Sequence, residues 1–568
     1  MSRLALSSSL LLLLSAACKH ENTLSDPTEP SIELTRPAPA EWMGPGQAEV
    51  RGEWSGLNSI NVNGTEATMT GSLVGDFDST VDLGRGIQIL TAAGTDPYGD
   101  TYYSKVHVLS GEYNGPRQAV EDAAIVRINE EGIAVILDAV ENEVDSELIA
   151  DVLVSDEPIY EGGFIDVGAA GSEDYLLGVE LYVDGVGLSG LDLSGIPQED
   201  ELEFTATIYG LELQSVLAVL FTGNEFLNVG LEIDADRVEI TGTLTMSAYQ
   251  GELDIQLLDS NVDISGFFFD TDLIPSEIEG ALLSGALEGI VESQVSGLLE
   301  SQITGLMRDT LSAFDFSYST TLLDREVDVV AEFGRASIDT AGIELAMDID
   351  VDMPNTTQHP YTGVLTAPGN QPTPDANADV SMSIWDDMIN KMLFEAWRSD
   401  LLVQDLSSSD GSLPAIALIP LHADSAELSV DGLLPPVVVQ DDEGNIEAQL
   451  GEVQIVLDME GSDLGSHLEA ALAVNVDIDL EVVDNVLEVQ LGEPVIDIAV
   501  RNSDWGASNE ATSELLAEVL PLDLILSLIG DLTFPLPDLP GVTMNANAGR
   551  DGNGTHTAVR LSLRTAAQ

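Results

Sequence analysis

The stretch Leu231 to Met246, LEIDADRVEITGTLTM, sets Leu231, Ile233 and Ala235 against Glu232, Asp234 and Asp236, and keeps a two-residue period from Val238 onward. Successive side chains of a strand point to opposite faces, so the pattern predicts a long strand with one apolar and one wet face. Leu253 to Leu257 repeats the period, and Val262, Ile264 and Phe268 extend it. An antiparallel sheet with one solvated face follows. Its wet face needs polar residues, which accounts for most of the acidic side chains without any appeal to function.

Beyond Pro275 the period changes. Ser276 and Glu279 have capping-box spacing, and Ile278, Leu282, Ala286, Leu287, Ile290, Val291, Val295, Leu298, Leu299, Leu306 and Leu311 then fall at helical intervals. One long helix is expected. Gly280, Gly285, Gly289, Gly297 and Gly305 interrupt it. Each weakens a helix by about 1 kcal/mol relative to Ala, so close packing or curvature along a sheet is the expected compensation.

The same order recurs on either side. Ala124 to Ile128 reads as a strand and leads into Ile133, Ile136, Leu137, Val140 and Val144 at helical spacing. Val380 to Ile384 alternates, then Trp385, Met388, Ile389, Met392, Leu393, Ala396 and Trp397 give two apolar residues per turn. Leu472, Val474, Val476, Ile478 and Leu480 mark another long strand, and an apolar helix from Ser513 to Ile529 closes the series. Strand, helix, long strands, helix occurs twice, which implies an internal duplication of about 200 residues per copy, with Thr320 to Asp352 as connecting strands.

Ahead of this body, Ala48 to Gly111 breaks into short alternating runs separated by turn pairs such as Asn63-Gly64, the pattern of a small all-β sandwich. Lys19 to Pro39 is polar and carries four prolines, as a tether does. Met1 to Arg3 is a short basic start, Leu4 to Leu14 is mainly apolar, and Ser15-Ala16-Ala17 precedes Cys18, the sole cysteine. The apolar run is too short to span a bilayer.

The chain has 568 residues, of which 100 are Asp or Glu and 18 are Lys or Arg, for a formal net charge of −82. With 44% apolar residues it nevertheless folds. Binding a polyanion requires cations to displace counterions, so nucleic acid is not an expected partner. A solvated acidic surface suited to a salty medium is the expected role of the charge.

Three resemblances go further. The segment ending at Cys18 resembles a bacterial lipobox, although Ser15 stands where that motif usually has Leu; the resemblance implies a diacylglycerol-bearing Cys18, and ordinary signal-peptidase cleavage at the same bond is the alternative. The run Ser59 to Gly64 resembles bacterial immunoglobulin-like repeats. Ala124 to Leu137, Val380 to Leu402 and Leu516 to Pro540, with its Val519-Leu520-Pro521 and Phe534-Pro535-Leu536-Pro537, are similar to the tubular lipid-binding family that includes bactericidal permeability-increasing protein and lipid-transfer proteins. That likeness implies apolar grooves between a long helix and a curved sheet in each half, able to take acyl chains. It does not carry over a cationic tip for lipopolysaccharide phosphate or a disulfide, given the net charge and the single Cys18.

The expected fold is therefore β-rich α+β: tandem elongated modules of curved antiparallel sheet wrapped on a long helix, after a small all-β sandwich. The expected boundaries are 1–17 for a lipoprotein-type signal, 18–40 for acylated Cys18 and a tether, and 41–113 for the immunoglobulin-like sandwich. Residues 114–318 form the first tubular half, 319–370 the connection and 371–568 the second half. Leu287, Ile290, Leu298, Met388, Met392, Trp397, Leu520 and Leu524 are candidates to line the channels, each with plain core as its alternative; Met388 and Met392 stand out because Met fills irregular space.

No catalytic residue, metal ligand or cofactor is assigned. The six histidines have no helical zinc spacing, and no Gly-x-Ser-x-Gly elbow or Walker loop occurs. The turns Asp441-Asp442-Glu443-Gly444-Asn445 and Asp551-Gly552-Asn553-Gly554 offer oxygen ligands for calcium, with ordinary turn chemistry as the alternative; neither fits an EF-hand. The expectation is a non-catalytic, lipid-binding or lipid-transfer lipoprotein of the cell envelope, held at the outer membrane by its acylated N-terminus. An acidic structural or adhesive surface lipoprotein is the alternative.

Overall fold

A computed structural model of the chain describes residues 29–143, 154, 158, 160–166, 175–221, 224–271, 284–315, 317–322, 325–367, 374–375, 377–413, 418–440, 445–483, 486–505, 509–520, 526, 529–530, 532–536, 542–550 and 556–565. Two compact units emerge. The smaller comprises Met1–Glu41, Gly46–Leu83 and Ile89–Val108; the larger comprises Trp42–Pro45, Gly84–Gln88 and Leu109–Gln568.

In the smaller unit, Ser31–Arg36, Gly46–Ser55, Val74–Leu83 and Thr68–Met69 lie side by side in one antiparallel sheet. A second sheet places Ser59–Val62 between Thr65–Glu66 and the strand ending at Thr95. Ala48, Val50 and Trp54 are buried along the first sheet while Glu49, Arg51 and Glu53 are exposed, as a period of two dictates. Ser31–Arg36 falls inside the segment read as a tether. The ordered body thus begins before residue 41.

The larger unit is built on sheets. One runs, in order, Tyr318–Leu322, Arg325–Asp339, Gly342–Asp352, Val120–Ile128, Val380–Trp385, His556–Thr565 and Val542–Arg550. A second contains Tyr160–Asp166, Tyr175–Gly187, Leu202–Phe221, Asn224–Tyr249 and Glu252–Ser265; a third contains Val403–Ser407, Ser425–Gly432, Ile446–Glu460, His467–Val483, Val486–Leu491 and Thr533–Pro535. Register shifts at Thr241/Thr243, Phe333/Arg335 and Leu450/Val453 insert bulges that bend and twist these strands.

Among the described residues, four helices longer than a single turn accompany them: α1 (Glu130–Glu143), α2 (Ser284–Ser312), α3 (Asp386–Arg398) and α4 (Asn509–Val519). Each half thus follows the order strand, helix, long strands, helix. The expectation of a sheet wrapped on a long helix in each module is not met, however. The described residues are mostly β, with 62% strand and 14% helix, and the sheets curl as partial barrels. Three of the helices have 14, 13 and 11 residues, hence lengths of about 16–21 Å, against about 85 Å for the strand Asn224–Tyr249 if fully extended. Helix α2 has 29 residues, yet it packs chiefly along the single strand Glu252–Ser265 and is not enclosed by a sheet. The halves are also not discrete modules, because the strands that open them are neighbours in one sheet.

The glycines of α2 answer the packing expectation directly. A Cβ added at Gly289, Gly297 or Gly305 would meet nothing within 4 Å. Close approach therefore does not require glycine at these three positions. Of the segment predicted to start α2, residues 276–283 lie outside those described, as do 521–525 of the predicted closing helix.

Candidate functional site

The apolar interior begins with the long strands. Leu202, Phe204, Ala206, Ile208, Leu211, Leu213 and Leu217 are buried on one strand, and Val229, Leu231, Ile233, Ala235, Val238, Ile240 and Leu244 on its neighbour. The register sets Leu213 opposite Ile233 and Ile208 opposite Val238, so the two rows run together. Leu253, Ile255 and Leu257 continue the face on the next strand, and Val291, Ile303, Met307 and Leu311 of α2 are buried as well. From Val229 to Leu244 the row extends about 50 Å at the rise of a strand.

The second centre is α3, which starts directly after the strand Val380–Trp385. Asp386 and Asp387 occupy its first turn and Arg398 its last, the charge order that suits the helix dipole. All thirteen residues are buried. Met388, Met392 and Trp397 are 0, 3 and 1% exposed, and they belong to one apolar cluster that also contains Leu520. The Trp397 indole donates to the Gly432 carbonyl at 2.6 Å, and His359 stacks on Trp397 with ring centroids 6.1 Å apart. Of the other lining candidates, Leu287, Ile290 and Leu298 lie on α2 but their side chains are outside those described, as are Leu524 and Cys18.

Burying a helix on every side forces its polar groups to find partners inside. Lys391 Nζ donates to the Pro116 carbonyl at 2.7 Å and lies 3.0 Å from Asp350 Oδ1 and 3.3 Å from Glu395 Oε1. Arg398 Nη1 bonds both Glu395 oxygens, at 2.8 and 2.6 Å, and its guanidinium lies over the rings of Tyr361 and Phe394. Burial raises the Glu395 carboxyl, and Lys391 and Arg398 oppose the shift. Asn390 receives the Val438 N–H at 2.6 Å and donates to the carbonyls of Val438 and Leu365. Asp387 accepts the Ala367 N–H and faces Arg85 at 3.8 Å; burial pushes its carboxyl up to about 6, against both contacts.

These contacts join α3 to segments far away in sequence. None of them presents a nucleophile to a base. The polar residues of α3 escaped the sequence reading because it rested on the helix's apolar positions alone. A signal existed: Lys391, Glu395 and Arg398 stand at i, i+4 and i+7, in a chain with only three lysines.

Several other cations among the described residues are engaged by carboxylates. Arg127 pairs with Asp339 and Glu344, Arg335 with Glu344, Arg501 with Glu452 and Arg560 with Asp375. Among the described residues no group of three or more His, Cys, Asp or Glu is arranged to hold a metal, and no helix is long and apolar enough to cross a membrane. Residues 441–444 and 551–554, which make up nearly all of the two turns considered for calcium, lie outside the described residues.

No family model matches the chain, and no curated protein matches its sequence. Two solved structures are loosely similar. A lipopolysaccharide-binding protein shares 14% identity over 78% of this chain and 100% of its own, with a TM-score of 0.40. P47 from Clostridium botulinum A2 shares 10% identity over 79% of this chain and 98% of its own, with a TM-score of 0.26. Likenesses this loose assign neither a family nor a ligand.

Proposed function

We propose that this chain is a non-catalytic lipoprotein of the bacterial cell envelope, anchored at the outer membrane through Cys18, that holds a lipid or similar apolar molecule against the inner face of its curved sheets. The observation that carries the proposal is the paired apolar row from Leu202 to Leu217 and from Val229 to Leu244, a long face unbroken by charge; the chain itself covers it, so a lipid would enter by displacing part of that cover. Removing a sixteen-carbon chain from water is worth on the order of 12 kcal/mol at about 0.8 kcal/mol per methylene, so a dry face of this length suits acyl chains. Neutralisation of Arg127, Arg335, Arg501 and Arg560 by carboxylates favours recognition of the apolar part of the ligand over its phosphate.

The complete enclosure of α3 favours a second reading for the other half, in which side chains fill the interior and the protein is a structural or adhesive surface component. Organic extraction of the purified full-length protein, followed by mass spectrometry, separates the two. Lipid recovered in molar proportion supports carriage, and its absence from protein purified out of its own envelope supports the structural reading.

A further inference from the structure

The smaller unit concentrates exposed apolar side chains at one end. Leu73 and Val74, in the turn before and at the start of the strand Val74–Leu83, are 55% and 54% exposed. Tyr98, in the turn after the strand ending at Thr95, is 81% exposed. Hydrogen bonds place these turns together. Gly56 N–H donates to the Leu73 carbonyl at 2.8 Å and Asn58 N–H to the Thr95 carbonyl at 2.7 Å. A two-residue step, about 7 Å of chain, therefore links the two sheets at this end.

The described chain enters the unit at the same end. Ser31 is opposite Ser55, which is itself opposite Val74, and the Ser55 hydroxyl donates to the Glu29 carbonyl. Ten residues lie between Cys18 and Glu29, a reach of at most about 40 Å over the eleven steps.

We infer that the tip formed by Leu73, Val74 and Tyr98 docks into the interface of a zwitterionic lipid bilayer when the chain is anchored at Cys18. This rests on the anchoring just proposed. Leu and Val supply apolar area, and Tyr suits the headgroup level, where one end of its ring is dry and the other wet. An acidic protein gains nothing from anionic lipid, so the neutral interface is the surface that fits. The short reach from Cys18 makes docking a local event at high effective concentration, and modest apolar contacts are then sufficient.

The test uses full-length protein recovered from membranes and reconstituted in phosphatidylcholine vesicles, with single probe sites Leu73→Cys, Tyr98→Cys or Gln47→Cys carrying an environment-sensitive fluorophore. Gln47 is exposed on the strand Gly46–Ser55, eight residues from Ser55 and so about 27 Å from the tip. Vesicles that contain spin-labelled phosphatidylcholine should quench positions 73 and 98 several-fold more than position 47. A Val74→Asp change added to the Tyr98→Cys protein should relieve that quenching while vesicle flotation persists. Flotation with equal, weak quenching at all three sites would overturn the docking and leave the anchor standing. Loss of flotation together with an unacylated Cys18 would overturn both.

Discussion

Val126 and Met382 are paired across adjacent antiparallel strands, so the strand that opens the first half is hydrogen-bonded directly to the strand that opens the second. Both are fully buried. Val120–Ile128 is bounded on its other side by Gly342–Asp352, and Val380–Trp385 by His556–Thr565. Cutting the chain between the halves would therefore open a sheet at its centre and expose two long edges.

Expressed separately, residues 114–370 and 371–568 should each be aggregation-prone, and co-expression should recover a complex with native protease resistance. Size-exclusion chromatography and limited proteolysis check this. Two independently soluble, protease-resistant halves would contradict it.

The Lys391, Glu395 and Arg398 cluster predicts a large penalty for an isostere that removes only charge. Glu395→Gln leaves two buried cations short of a carboxylate and should destabilise the protein by about 3–5 kcal/mol, read from urea denaturation midpoints. Asp350→Asn should cost much less, because Asp350 is 48% exposed and water screens its pairing with Lys391.

Asp387 predicts a pH dependence of definite sign. Its carboxyl is raised to about 6 in the folded chain, so between the ordinary carboxylate range and pH 6 the folded state holds a proton that the unfolded state has lost. Stability from this residue is thus greatest at low pH and declines as pH rises to 6, by about 3 kcal/mol in total. Asp387→Asn should remove that part of the slope in stability measured from pH 4 to 7. An unchanged slope would place the titration elsewhere.

The glycines give a prediction with opposite signs. Gly297 lies in α2 with open space where a Cβ would go, so Gly297→Ala should stabilise by about 0.5–1 kcal/mol. At Gly342, with φ of +142°, an added Cβ would sit 1.9 Å from the Ile128 carbonyl oxygen, so Gly342→Ala should raise the population of unfolded chain sharply. Thermal melts of the two variants should move in opposite directions.

The strands were legible in the sequence wherever a sheet keeps one face wet. Leu231 to Met246 alternates because water lies on one side, and it falls within the 26-residue strand Asn224–Tyr249. Helix α3 was legible as a helix but not as a wholly buried one, since periodicity records the contrast between faces and its polar face is satisfied by Pro116, Asp350, Leu365 and Val438 instead of water. The expected wrapping of each sheet on a long helix failed for a related reason. Apolar spacing over Ile278 to Leu311 gives a helix its length but says nothing about how many strands it touches, and α2 follows chiefly one. The pairing of Val126 with Met382 was beyond reach, because it joins residues 256 apart and nothing in either strand's pattern specifies its partner.

The central claim is carriage of an apolar molecule, and native mass spectrometry of the full-length protein, released from its membrane in mild detergent and compared before and after delipidation, tests it most directly. The predicted result is a discrete excess mass of one or two lipids, beyond the covalent anchor, that disappears on delipidation and returns when lipid is supplied. A single mass that delipidation does not change, and that lipid vesicles do not shift, would contradict carriage and leave the structural reading in its place.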